Sequence, residues 1–540
     1  MASFREAFDG FPLNASFISH NDSENWVLKT ITFLGVLLLG YTAYGLILAI
    51  YRVTLHPLAS IPGPKLAAMT WWYECYYEVV LGGQYFKRMR EMHRQYGPIV
   101  RINPNEVHFN DPDFIDTLYP ATSSRLTNKP IMVGWRTGTP NSIVATIDHH
   151  VHRKRRNSIN NFFSNASVRK VEPKIREKLE RMLSRWNEHI GKDGKVIHMH
   201  TVFKAYASDI ITTYAFGDCF HFLEEDDWGR SYFKSTDKYF DLTHIFGHFP
   251  ITMLIINNLP VWILRQFIPN LTEMAEKQKW WIRRVRQIRS SPNPDDIKNT
   301  IFEGILGSSL PDEEKTDARM AHDAQLIGLA GEGTTAYTLS ATLFELLAHP
   351  EEYQKVKEEI RTAIPDKNSV PSYSEVEHLT YFNAVIQEGL RLHPGVMSRM
   401  ARLSPDADIV YHDKRRDKTF VLPPGTWTSM STLITHTDPE VFEDPLEFRP
   451  QRWIDDPKLT RSFIAFARGT RNCVGQNFAR REMGMVLATI INRYDVYQGQ
   501  EGRTLELYDT VRERDIAANS EMIIPMPAKG SHGLRVRIRE

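Results

Sequence analysis

From Thr30 to Tyr51 no charged side chain interrupts TITFLGVLLLGYTAYGLILAIY. In hydrocarbon a backbone must satisfy its own N–H and C=O groups, which leaves an unbroken run of this kind one choice, the helix. A helix of that length spans a hydrocarbon layer of roughly 30 Å. Trp26 and Tyr51 stand at its two ends, where amphipathic rings favour the interface. A cleaved leader has an apolar region of about 7–15 residues closed by small side chains. Here a long polar stretch precedes the run and Arg52 follows it, so the reading is an uncleaved transmembrane anchor over 26–51. Asp9, Asp22 and Glu24 outweigh Arg5 on one side, and Arg52 and Lys65 follow on the other. The positive-inside tendency then turns the body towards the cytosol. Residues 1–25 become a lumenal segment, whose Asn14-Ala-Ser and Asn21-Asp-Ser triplets match glycosylation acceptors.

After the anchor, HPLASIPGPKLAA sets Pro57, Pro62 and Pro64 into a stiff, non-helical hinge over 52–65. Beyond it no composition shift, repeat or low-complexity linker divides the chain, so 66–540 reads as one large domain, against a length prior of about 150 residues per domain. Lysine plus arginine is 66 and aspartate plus glutamate 65, a balance that gives no footing for nucleic-acid binding. Strand-like patterns are few: 98–110 and 408–426 read as hairpins, and the tail near 521–538 is strand-like. Helical periodicity prevails at 166–190, 201–217, 317–348, 350–363, 374–392 and 475–494. The expected fold class is mainly α with a small β lobe near the anchor.

Cys75, Cys219 and Cys473 are odd in number and widely spaced, with no Cys-x-x-Cys pair. That excludes a disulfide scaffold and a cysteine-rich zinc site, and fits a reducing compartment. Cys473 stands apart because it lies in a basic, glycine-punctuated loop, FARGTRNCVG. Gly469 and Gly475 suggest backbone geometry closed to other residues, and Phe466 is placed to shield the sulfur. An amphipathic helix begins just past the cysteine, and a helix N-terminus favours the thiolate. Such a thiolate is a nucleophile or a metal ligand, and the window offers no paired histidine for protease chemistry.

Phe466, Gly469, Arg471, Cys473 and Gly475 fill every fixed position of F-x-x-G-x-R-x-C-x-G, and in this the chain resembles the cytochrome P450 family. The resemblance implies the P450 fold with an N-terminal transmembrane helix, and makes Cys473 the proximal thiolate of a haem b iron. Three further stretches carry it. In YFNAVIQEGLRLHP, Glu388 and Arg391 resemble, with Arg452, the family's buried Glu-Arg-Arg knot. In LAGEGTTAYTLS, Ala330, Gly331 and Thr334 match A/G-G-x-D/E-T, with the Thr334 hydroxyl facing bound dioxygen and the two glycines widening the groove over the haem. Position 333 departs from the pattern: glycine stands where an acid is usual. Glu332 lies one residue earlier, about 100° round the helix, and takes over the acid's proton relay only if the helix is locally distorted. In DHHVHRKRRNSINNFFS, His152 and Arg156 keep the spacing of the family's W-x-x-x-R pair, which holds a haem propionate. Arg402 and Arg471 are the other implied propionate partners. Arg153, Lys154 and Arg155 read as exposed, facing an acidic redox partner. His149, His150, His244, His248, His349 and His393 lack any spacing the haem requires and read as core or surface groups.

The resemblance is to microsomal fungal members, more narrowly to the group around trichodiene oxygenase. It implies a single-pass protein of the endoplasmic reticulum membrane with the catalytic domain in the cytosol. It also implies NADPH-cytochrome P450 reductase as partner, with cytochrome b5 as a further one, and a small apolar secondary-metabolite substrate, terpenoid before polyketide. The expected reaction inserts one atom of O2 into that substrate. Two alternatives stand beside it: a haem-thiolate isomerase or dehydratase needing no external oxygen, and a non-catalytic membrane haemoprotein.

Overall fold

The uncharged run and its flanks form one helix, α1, His20–Thr54, in a computed structural model that describes residues 20–122, 125–188, 190, 194–291 and 300–540. Its stretch Leu28–Thr54 has a mean hydropathy of 2.1 and none of it is buried in protein, so it is long and apolar enough to cross a membrane. The helix runs past the expected end at Tyr51 through Arg52 and stops ahead of Pro57, which lacks a backbone donor. Asn14 lies outside the described residues, and Asn21 sits in the first turn of α1. Residues 1–59 and 60–540 are two compact units.

In the second unit the site is built on α2 (Ile131–Trp135), α3 (His149–Asn160), α4 (Met199–Phe216), α5 (Arg230–Phe240), α6 (Thr243–His248), α7 (Pro250–Asn258), α8 (Val261–Phe267), α9 (Thr272–Ser290), α10 (Asp317–Ala348), α11 (Thr380–Leu392) and α12 (Gln476–Arg493). Local chemistry fixes several starts. Asp148 caps α3, accepting the Val151 N–H at 2.9 Å, and Thr316 caps α10. The expected helix 374–392 is broken after Val376, because Glu359 accepts the N–H groups of Tyr381 (3.0 Å) and Phe382 (2.8 Å) and so caps a fresh start. The expected 166–190 helix divides likewise into Asn165–Arg169 and Glu172–Asn187, with Pro173 in the first turn of the second piece. α4 is buried almost all round and packs along α10. Phe203, Tyr206, Trp281, Leu339 and Val486 join in one core that these helices share with α9 and α12.

The strands are β1 (Ile99–Arg101), β2 (Glu106–Phe109), β3 (Lys195–His198), β4 (Arg402–Leu403), β5 (Ile409–Asp413), β6 (Lys418–Leu422), β7 (Trp427–Ser429), β8 (Asp495–Val496), β9 (Thr504–Leu507), β10 (Ser520–Met522), β11 (Ile524–Met526) and β12 (Arg535–Arg539). One sheet has the order β1-β2-β7-β4, with β2 and β7 parallel; a second has the order β3-β12-β9-β8; β5–β6 and β10–β11 are hairpins. In β5, buried Ile409, Tyr411 and Asp413 alternate with exposed Val410 and His412, the period of a half-covered strand.

On α11, Arg391 reaches back one turn to Glu388 with both arms of its fork, at 2.7 Å each. Arg452 Nε adds a contact at 3.1 Å and Trp453 Nε1 another at 2.9 Å, all in the dry interior. A buried ion pair holds only when its remaining lone pairs are also used, as here. Arg391 also donates to the His436 carbonyl at 2.8 Å, and His436 Nε2 accepts the Ile464 N–H at 2.8 Å. Burial, then Arg391, pushes His436 down to about 3, so it stays the neutral acceptor this bond needs. The knot is thereby tied to the chain entering the Cys473 loop.

Candidate active site

Cys473 sits between a short 3₁₀ turn, Gly469–Arg471, and the start of α12. Its N–H donates to the Phe466 carbonyl at 2.8 Å, closing the loop. Gly469 has φ +74°, and a Cβ there would meet the Tyr119 carbonyl oxygen at 2.6 Å and that of Pro120 at 2.8 Å, so glycine is required twice over. Gly475 is different: at φ −81° its backbone suits any residue, so the expected special geometry is confined to Gly469. The Phe466 ring lies under the Arg480 guanidinium, 5.4 Å from its centroid. Cys75 and Cys219 are buried thiols, and Cys473 is the exposed one. It opens on a cavity of about 330 Å³ that also reaches Arg156, Asn472 and Gln476. The surrounding protein is nonetheless dense. Burial pushes the thiol up, against the opposing pull of the Gly475 N–H and the Arg156 charge, contrary to the lowering expected from the helix end alone.

Around this loop the structure gathers the basic residues singled out in the sequence. Arg156 donates to Asn472 through its carbonyl (2.8 Å) and its side-chain oxygen (3.2 Å). Arg471 donates to the carbonyls of Thr146 (2.6 Å) and Ile147 (2.7 Å), and Arg402 to that of Ala401 (2.8 Å). His152 is buried on α3 and is pushed down to about 2, by burial first and then by Arg471, Lys129, Arg156 and Arg402. Burial, then Arg402, likewise lowers Arg471 to about 9. Arg155 departs from expectation: instead of facing solvent it pairs with Glu314 at 2.6 Å, while Arg153 and Lys154 are exposed.

Lys129 was not legible as part of this group. It lies in a loop with no helical or strand periodicity. Asn128 bridges backbone to backbone with Leu403 (2.8 and 2.9 Å), which swings Lys129 beside Arg402, and its Nζ donates to the Val144 carbonyl at 2.5 Å. Burial holds its ammonium well below the usual range, with Arg402 and Arg471 adding to the effect. Among the described residues no carboxylate lies within ion-pair distance of Lys129, Arg156, Arg402 or Arg471. Converging cations without counter-ions are costly in a dry setting, and a ligand bearing two carboxylates relieves that cost. A propionate-bearing macrocycle with a metal that takes a thiolate therefore suits this donor set.

On α10, Ala330 and Thr334 share one face, one turn apart. The Thr334 hydroxyl donates to its own helix, to the Ala330 carbonyl at 2.7 Å, which leaves its lone pairs outward. Gly395 lets the segment beyond α11 pack against Thr334; a Cβ there would approach the Thr334 Cβ to 2.8 Å. Of the two α10 glycines, Gly331 departs from the widened groove expected of the pair, while Gly333 borders open space. At Gly331 a Cβ would strike Ile211 at 2.7 Å, so this glycine allows α4 to close on α10, whereas at Gly333 it would meet nothing within 4 Å. α10 runs unbroken through this stretch, so the distortion that a Glu332 relay needs is absent. Glu332 turns to α4, accepting from Ser208 Oγ at 2.9 Å, and burial raises it to about 8 against the counter-pull of Lys204 and Ser208.

The cytochrome P450 family model matches residues 62–511. The chain therefore belongs to the cytochrome P450 family and is a haem-thiolate monooxygenase, an oxidoreductase. More narrowly, its curated relatives are fungal cytochrome P450 monooxygenases of secondary metabolism. It is 34% identical over 508 residues to the monooxygenase tpcC of Cochliobolus heterostrophus, covering 93% of this chain and 96% of that one. It is 35% identical over 517 residues to sdnE of Sordaria araneosa, covering 92% and 96%. A tryptophan 6-hydroxylase of Fusarium equiseti is 34% identical over 512 residues, covering 94% and 97%.

Proposed function

We propose that this chain is anchored in the endoplasmic reticulum membrane by α1, with its body in the cytosol, and oxygenates an apolar secondary-metabolite intermediate, a terpenoid before a polyketide. Electrons come from NADPH through cytochrome P450 reductase, with cytochrome b5 as a second donor, and the exposed Arg153 and Lys154 offer that partner a basic face. The observation that carries this reading is the convergence of uncompensated Lys129, Arg156, Arg402 and Arg471 on the loop of the exposed Cys473.

Cys473 would hold the haem iron through its sulfur, and the four cations with neutral His152 would hold the propionates. The bound group supplies dioxygen activation, with the thiolate as electron donor to the metal. The remaining work falls to the chain. Phe466, gripped by Arg480, covers one side of the loop, and the Glu388 knot fixes its approach through His436. The outward lone pairs of Thr334 accept a hydrogen bond at the oxygen site, while its own proton is held by Ala330. With glycine at 333 and Glu332 turned to Ser208, no carboxylate of α10 stands next to Thr334 on the same face. Proton supply then passes through water beside Gly333, which lines a cavity of about 300 Å³ together with His200, Lys204 and Asp237.

The test has two arms. The reduced, carbon-monoxide-treated protein is expected to show the thiolate-ligated band, and Cys473→Ala to abolish it; a band that survives overturns the ligand assignment. Microsomes carrying reductase are then fed terpenes, polyketides and, as an aromatic comparison, tryptophan. NADPH- and O2-dependent oxygenation of a terpene is the expected outcome, and product without O2 would select the isomerase reading.

A further inference from the structure

Four glutamates meet in the interior away from the cysteine loop. Glu74 and Glu78 come from the helical stretch 72–80, Glu106 from β2 and Glu521 from β10. Arg399 donates to Glu106 Oε1 and Glu78 Oε1, at 2.9 Å each, and also pairs with Glu74. Arg136, directly after α2, reaches Glu78 at 2.5 Å and Glu74 at 3.1 Å. Asn103 bonds the remaining oxygens of Glu74 and Glu106 at 2.7 and 2.9 Å. Every carboxylate oxygen of these three glutamates is thus met by a donor, which leaves none aimed at a metal ion.

Two arginines meet four carboxyl groups, and burial raises Glu74 despite Arg399, so even with a proton there the cluster is short of positive charge. The shortfall faces α6, whose His244 and His248 point into the cluster. His248 Nε2 lies 3.0 Å from Glu78 Oε2. His244 Nε2 lies 2.6 Å from the Glu521 carbonyl, with the Glu521 carboxylate at 3.8 Å, and its Nδ1 lies 3.2 Å from Glu78 Oε2. Nε2 thus donates to a carbonyl, while the buried Nδ1 closes no hydrogen bond but stands at ion-pair distance from the Glu78 carboxylate, a setting that favours the charged ring. Burial works against that charge, but Glu78 and Glu521 outweigh it and Arg136 opposes them, with a net raised pKa.

We propose that this cluster is a proton-held latch: imidazolium at His244, supported by His248, fastens α6 against the 72–80 stretch, α2 and the β10–β11 hairpin, and loss of that proton frees the α6–α8 segment. Beyond the cluster the segment is held by a few contacts. α6 buries Phe246 in the core, α7 buries only Met253 and α8 only Leu264. The other polar ties include Asn257 to Gly138 (2.9 Å) and to Tyr239 (3.0 Å), Thr243 to the Arg136 carbonyl (2.6 Å) and, on α8, Arg265 to Glu276 (2.9 Å). The latch rests on the cluster's geometry and stands or falls apart from the proposed function. Because His244 is raised, its contribution is complete below the unfolded histidine value of about 6.5 and is lost as pH climbs through the folded value.

Hydrogen exchange of the full-length, haem-loaded protein in lipid nanodiscs tests it. Protection factors, corrected for intrinsic exchange, are compared for α6–α8 and for α4 at about pH 6 and about pH 9, either side of the histidine range. The expected result is a fall of about tenfold or more in α6 that α4 does not share. Glu521→Gln, which leaves the arginines paired, is expected to move the midpoint of that fall to lower pH. His244→Gln is expected to make α6 weakly protected at both values. Equal pH behaviour of α6 and α4 in the unsubstituted protein, or an unmoved midpoint in Glu521→Gln, overturns the latch.

Discussion

Lys129 and Glu482 are both buried ionisable side chains, and their surroundings set opposite expectations. Lys129 stands among like charges that suit an anionic ligand, so Lys129→Gln is expected to relax the ligand-free protein while weakening its hold on the haem. One charge-assisted hydrogen bond is worth about 1.5–3 kcal/mol. Haem loss to a scavenger should therefore be on the order of tenfold faster or more. Glu482 on α12 is fully buried, both its oxygens lack a hydrogen-bond partner, and burial raises it well above the carboxylate range. It is protonated in the fold and ionised when unfolded above pH about 4.3. Stability consequently falls as pH rises through that value, by about 1.4 kcal/mol per unit, until the folded pKa is reached. Glu482→Met is expected to remove this slope, raising the thermal unfolding midpoint more at pH about 8 than at about 5; an equal gain at both would contradict it. Neither position was marked by any motif. A lone lysine in a loop and a glutamate in an amphipathic helix look solvated until packing closes over them.

The helices were the best-read elements, because the 3.6-residue pattern survives whatever the helix packs against. α10 was expected at 317–348 and stands there, and the two expected hairpins are β1–β2 and β5–β6. Breaks were harder: α11 restarts at Thr380 because Glu359, distant in sequence, caps it. The paired glycines of α10 give the sharpest test at this scale. Gly331→Ala puts a methyl group into Ile211 of α4 and is expected to destabilise by about 1–3 kcal/mol. Gly333→Ala enters open space and is expected to stabilise by about 0.5–1 kcal/mol, through helix propensity. Denaturant unfolding of the two variants should move the midpoint in opposite directions, and a shared direction would refute the assignment of Gly331 to close helix packing.

For the molecule as a whole, α1 makes the simplest claim. An arginine at the centre of a spanning helix costs about 2.5–3.5 kcal/mol of insertion, so Leu38→Arg should shift protein from the carbonate-resistant membrane fraction to the soluble one, while the carbon-monoxide band persists. The unit of residues 60–540 is knit by contacts that no local window contains: Glu388 to Arg452, Asn128 to Leu403, Glu78 to His248. The sequence by itself determined the apolar span, the helix periods and the cysteine loop, since each depends on side chains near one another along the chain: unbroken apolarity, a repeat of 3.6, a glycine that must accept φ +74°. Only the tertiary structure decided which charges face each other. It turned Glu332 from Thr334 to Ser208, paired Arg155 with Glu314, and brought Lys129 to the cysteine loop and His244 to two carboxylates. The reason is physical. A charge's role depends on its burial and on partners within a few ångströms, and both are set where distant segments meet.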